Sequence, residues 1–160
     1  MANQDPQPEV YSVASTFAGG VAAGTTVTTN VTTSQANNEE VRIYAIQVDM
    51  QAEDFDALSP ITATECDFSL TITVGPNNVP SQPIRLRPIW CSDTNAMYFT
   101  SPILVLFQQP LQVTVTCNQA LTAGAGNGRI VTVNFLSELA IQKVACAPSA
   151  TDYPRSPMGM

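Results

Sequence analysis

The sequence predicts an all-β domain, a sandwich or barrel of about eight strands with Greek-key connections. Three observations carry this. Apolar residues recur with period two along most of the chain; clusters of Gly, Pro and Asn separate these runs; and no amphipathic helix of ten or more residues is present. At 160 residues the chain fits one domain with a sizeable core.

Residues 1–9 read as an extended arm, with Pro6 and Pro8. Tyr11, Val13 and Phe17 then share one phase, and Gly19-Gly20 punctuates. Val27, Thr29, Val31 and Thr33 form a Thr-rich run that favours strand, closed by Asn37-Asn38. Along residues 41–50 the apolar phase changes. Val41 and Ile43 lie on one side; Tyr44, Ile46, Val48 and Met50 lie on the other. A bulge does this, because one extra residue flips every later side chain; burial of both faces also fits. Residues 52–60 read as a loop or one helical turn.

Phe68, Leu70, Ile72 and Val74 alternate with Asp67, Ser69, Thr71 and Thr73, the cleanest strand pattern in the chain. Ile84, Leu86 and Trp90 continue it, but Pro88 cannot donate to a ladder, so an edge strand is expected here. The apolar run 103–107 reads as a strand buried on both faces or facing a neighbouring subunit. Leu111, Val113, Val115 and Cys117 alternate with polar residues, and Cys117 is expected in the core. A small-residue loop, 123–128, precedes a last strand over Val131, Val133 and Phe135, which Leu139 and Ile141 extend. After Cys146 the tail, with Pro148, Pro154 and Pro157, looks extended.

Charged residues make up only 12% of the chain, against roughly 25% in average domains. Thr, Asn, Gln, Ser and Ala fill the deficit. Uncharged hydroxyl and amide groups desolvate more cheaply than charges, which suits a surface packed against neighbours. The net charge of −7 and a single lysine, Lys143, argue against direct nucleic-acid binding and against an anionic membrane surface. No stretch approaches the ~18 apolar residues of a membrane span. The first ten residues lack the basic start and apolar core of a secretion signal, so most thiols are expected reduced. Of Cys66, Cys91, Cys117 and Cys146, Cys91 and Cys146 are the better candidates for a bridge.

Histidine is absent, which removes His-based triads and His metal sites. The Gly-x-Gly spacing in 123–128 lacks the following helix that a dinucleotide site needs. Glu53, Asp54 and Asp56, with Glu65 and Asp67 nearby, form a weak candidate calcium site, but the spacing matches no EF-hand loop. A solvated acidic loop is the plainer reading, and no cofactor is expected. Trp90, Tyr98 and Phe99 fit core or interface anchors better than a sugar-stacking platform.

The arm, the Thr/Val-rich strands, the low charge density and the Pro-rich tail together resemble the single jelly-roll proteins of icosahedral virions. These include small capsid, minor capsid and decoration proteins of bacterial and archaeal viruses. Residues 110–116 (PLQVTVT) and 129–139 (RIVTVNFLSEL) are similar to the last strands of such subunits. The resemblance covers most of the chain as a pattern, without a diagnostic motif. It implies an arm (1–9), a jelly-roll domain (10–147) and an extended tail (148–160). It also implies self-assembly and packing with other capsid proteins in a virion, with no catalysis and no small-molecule substrate. The expected contact residues are Gln4, Pro6, Pro8, Trp90, Leu104, Phe107, Pro148 and Tyr153. The rival expectation is an extracellular carbohydrate-binding or adhesin-like sandwich.

Overall fold

A computed structural model of the chain describes residues 5–52, 67–124 and 126–142. Within them the chain is all-β, two antiparallel sheets packed face to face. The strands are β1 (Gln7–Phe17), β2 (Thr26–Val31), β3 (Glu39–Ala52), β4 (Phe68–Val74), β5 (Asn77–Asn78), β6 (Ile84–Arg85), β7 (Ala96–Leu106), β8 (Leu111–Cys117) and β9 (Arg129–Ile141), with one helical turn, α1 (Arg87–Trp90). The first sheet runs β1-β9-β3-β7. The second runs β2-β8-β4-β5, with β6 also on β4.

The pairing is nested. β1 pairs with β9, β2 with β8, β3 with β7, and β4 with β5 and β6. The chain thus folds back on itself near β5 and winds the doubled ribbon into a sandwich. The ladders β3·β9 and β4·β8 close each sheet.

Period-two alternation explains the core. From the first sheet, Phe17, Ile43, Ile46, Val48, Val105, Val133 and Phe135 point inward; from the second, Phe68, Leu70, Ile72, Leu111, Val113 and Val115 meet them, all essentially inaccessible. The Phe17 and Phe68 rings, one from each sheet, lie 5.1 Å apart between centroids, within the favourable range for a tilted aromatic pair. Cys117 is a buried free thiol, as its phase predicts, and burial pushes its pKa up. Gly19 is required by close approach. A Cβ there would collide with the Gly124 carbonyl, so the turn after β1 packs on the loop before β9.

The phase change in β3 is a bulge. Pairing with both neighbours shifts between Ile43 and Ala45, leaving Tyr44 as the extra residue. Three expectations need correction. First, Gln7, Pro8 and Glu9 are not a free arm: they pair with Leu139, Glu138 and Ser137 as the start of β1. Second, Pro88 does not lie in an edge strand. The strand ends at Arg85, and residues 87–90 form a helical turn with Pro88 in its first turn, where a missing N–H is harmless. Ile89, not Trp90, enters the core. Third, the run 103–107 is not buried on both faces. Ile103 and Val105 are buried, but Leu104, Leu106 and Phe107 are exposed, because β7 is an edge strand whose outer face nothing covers among the described residues.

Candidate interaction surface

The two outer faces follow from the register, since residues directly opposite in a ladder share a face. On the first sheet one row crosses all four strands as Val10, Leu136, Ala45 and Tyr98. The next is Pro8, Glu138, Arg42 and Leu104, and a third is Ala140, Glu40 and Leu106. Val10 is 64% exposed, Tyr98 72%, Leu104 47% and Leu106 41%. Large apolar side chains thus stand in neighbouring rows on one face. Tyr98, Leu104 and Leu106 gather on β7, and Val10 stands across the sheet on β1 with half-buried Leu136 between; scattered single apolar residues are ordinary on a surface, whereas such a grouping is a candidate interaction site.

The charges among these residues are paired with one another. Arg42 contacts Glu40 at 2.7 Å and Glu138 at 3.6 Å. The bulge turns Tyr44 to the same face, where its hydroxyl donates to Glu138. The hydrogen bond to Glu40 stabilises the Arg42 cation and raises its pKa. That from Tyr44 to Glu138 raises the phenol above its usual value. Both groups keep their ordinary charge states over a wide pH range. Paired charges at a surface can be covered by a partner with less desolvation loss than isolated ones.

The second sheet's outer face is different in kind. Its rows read Thr26, Thr116, Ser69 and Arg85; Thr28, Thr114 and Thr71; and Asn30, Gln112, Thr73 and Asn78. Three pairs of these groups bond to one another. Thr28 and Thr114 share a hydroxyl–hydroxyl bond of 3.0 Å, Gln112 donates to Asn30 at 3.1 Å, and Thr73 donates to Asn78 at 2.9 Å. At the rim Asp67 pairs with Arg85 at 2.7 Å and accepts from Asn118. Burial opposes its charge, but Arg85 and Asn118 outweigh this and hold the carboxyl below its usual value.

Of the contact residues expected from sequence, Leu104 and Pro8 lie on the first sheet's outer face. Phe107 sits just beyond the end of β7 and Pro6 just before β1, both exposed. Trp90 instead packs partly buried against the core. Gln4, Pro148 and Tyr153 lie outside the described residues, as do the calcium candidates Glu53, Asp54 and Asp56 and the thiols Cys66 and Cys146. Cys91 is an exposed free thiol. The aromatic trio separates: Trp90 and Phe99 pack on the core while Tyr98 points outward, so no stacking platform forms. A cleft of about 250 Å³ lined by Asp5, Gln7, Glu39 and residues 139–141 falls below the usual size of small-molecule sites.

Sequence reasoning missed Val10 and Tyr44 as surface contacts and undervalued Tyr98. The sequence signal of Val10 and Tyr98 is an apolar or aromatic residue in the outward phase of its strand; Tyr44, expected on the same side as Ile46, Val48 and Met50, is turned to the opposite face by the bulge. No helix among the described residues is long and apolar enough to cross a membrane. No family model, curated protein or solved structure matches this chain.

Proposed function

We propose that this chain is a structural virion subunit — capsid, minor capsid or decoration protein — that acts by self-assembly and packing against other capsid proteins, without catalysis. The observation that carries the reading is the outer face of the first sheet, where Val10, Tyr98, Leu104 and Leu106 stand exposed around charges already paired among themselves. Covering such a face is favourable by about 25 cal/mol per Å² of apolar area.

Topology supports the same reading. The nested pairing β1·β9, β2·β8, β3·β7 and β4·β5/β6 is what a ribbon rolled into a jelly roll would give, with β5 and β6 together taken as the short eighth strand. Virion proteins commonly use this fold, though fold alone does not assign function; the exposed face supplies the argument.

The test is association of the full chain, followed by light scattering across concentration, with Leu104→Glu as the probe. The reading expects oligomers that weaken at least tenfold in the variant. A wild-type chain that stays strictly monomeric at all concentrations would overturn it.

A further inference from the structure

We infer that the free edge of β1 pairs antiparallel with the same edge of a second copy, joining two four-stranded sheets into one; the inference rests on the assembly reading and names its partner and first contact.

Among the described residues the sandwich has four strand edges, and three are blunted. On β7, residues 99–102, including Pro102, stand opposite only Tyr44 of β3 and break the ladder. The Gln35 side-chain amide also occupies the carbonyls of Val105 and Leu106, at 3.3 and 2.9 Å. β5 and β6 are two-residue stubs, and β2 has six residues. β1 has eleven, in unbroken register with β9. Natural edges are usually guarded by charge, proline, a bulge or shortness. From residue 10 to 17, β1 has none of these.

Hydrogen-bond parity shows which groups face out. The Val48 N–H donates to the Asn95 carbonyl at 2.8 Å, away from β9. Val48 and Val133 are therefore a non-bonded pair, so Val133 bonds toward β1, opposite Val13. By alternation the N–H and C=O groups of Val10, Ser12, Ala14 and Thr16 point to the free edge. Pro8 belongs to the same set, the one place on an edge where its missing N–H is tolerated. No hydrogen bond among the described residues reaches these groups.

The occupant is a second copy for two reasons. An antiparallel pair about a two-fold axis at Ser12 is self-complementary: Val10 of each copy faces Ala14 of the other, and Tyr11 faces Val13, an aromatic–β-branched pair. From Val10 to Phe17 the edge is also uncharged in a chain of net charge −7, and the one carboxylate of β1, Glu9, is held by Tyr11 and Ser34. Two such chains repel least where they meet without charge, whereas a strongly charged foreign strand would find no counter-charge between Val10 and Phe17.

Sedimentation velocity on the full chain across concentration tests this. Ser12→Lys places two like charges at the axis and should raise the dimer dissociation constant at least tenfold, with circular dichroism and melting unchanged, because Ser12 is exposed. In a Cys91→Ser background, Ser12→Cys should form a covalent dimer under mild oxidation, since a bonded antiparallel pair places the Cα atoms about 5.5 Å apart, within disulfide range. Thr28→Cys on β2 should not. If Ser12→Lys dimerises like the wild type and Ser12→Cys stays monomeric, the edge contact is wrong. If Leu104→Glu still abolishes association in that case, the assembly reading survives without it. A wild type that never associates removes both.

Discussion

The outer face of the first sheet carries Val10, Tyr98, Leu104 and Leu106; that of the second carries Thr28, Thr71, Thr114, Asn30 and Gln112. Both sheets bury the same kind of aliphatic and aromatic residues inside, so the contrast lies wholly in the outward phase of each strand. On the second sheet, hydroxyls and amides already bond to one another, and a partner could only exchange these bonds for others at little net gain. On the first, exposed apolar area remains, and the nearby charges are already matched. Low overall charge therefore does not mean a uniform surface: one face carries hydroxyls and amides bonded in pairs, and the other leaves apolar area exposed.

The contrast can be broken at its foundation. Phe68→Ala removes the ring that meets Phe17 across the sandwich and should cost about 3–5 kcal/mol. Thermal melting should fall steeply, and both faces should be lost together. A sharper cut leaves the fold alone. Thr114→Glu on the second sheet should leave association within twofold, and both it and Leu104→Glu should change melting stability by no more than about 0.5 kcal/mol. Equal weakening by the two glutamates, measured by light scattering, would erase the distinction between the faces.

Smaller effects probe the polar face itself. The Asp67 carboxyl is held low by Arg85 and Asn118. Its contribution is therefore fully present above the unfolded carboxylate value, about 3.9, and is lost as pH falls through the lower folded value. Because Arg85 is largely exposed, the effect should not exceed about 1 kcal/mol. Asp67→Asn should remove that part of the acid dependence in denaturation followed from pH 6 to pH 2. Smallest of all, Thr28→Ala breaks one exposed hydroxyl pair and should shift stability by a few tenths of a kcal/mol, with no change in association.

Much of the fold could be read from alternation. β4 and β8 follow from four repeats each, and the phase slip at Tyr44 announced the bulge. What escaped depends on information outside a local window. Whether the apolar run at 103–107 is covered depends on which strand lies beyond β7, and among the described residues none does. Residues 7–9 read as part of an arm, and only the topology puts the Pro8 nitrogen on an unpaired edge where a strand tolerates it. Pro88 is compatible with either an edge strand or the first turn of a helix, and local sequence does not choose between them. The candidate interaction surface was the least legible feature. Val10, Ala45, Tyr98 and Leu136 share one row although they come from four strands scattered along the chain, and only the sheet order places them together. Leu104 was singled out because it sits in a conspicuous run; Val10 sits in none, and Tyr44 reads in phase with Ile46, Val48 and Met50 until the bulge turns it outward.

Hydroxyl-radical footprinting of the full chain, dilute and then concentrated, most directly tests the claim that the first sheet's outer face is the one that meets partners. Tyr44 and Tyr98 should lose most of their reactivity on association, while the half-buried Trp90, off that face, should change little. Tyr98 remaining as reactive in the associated state as in the dilute one would contradict the account.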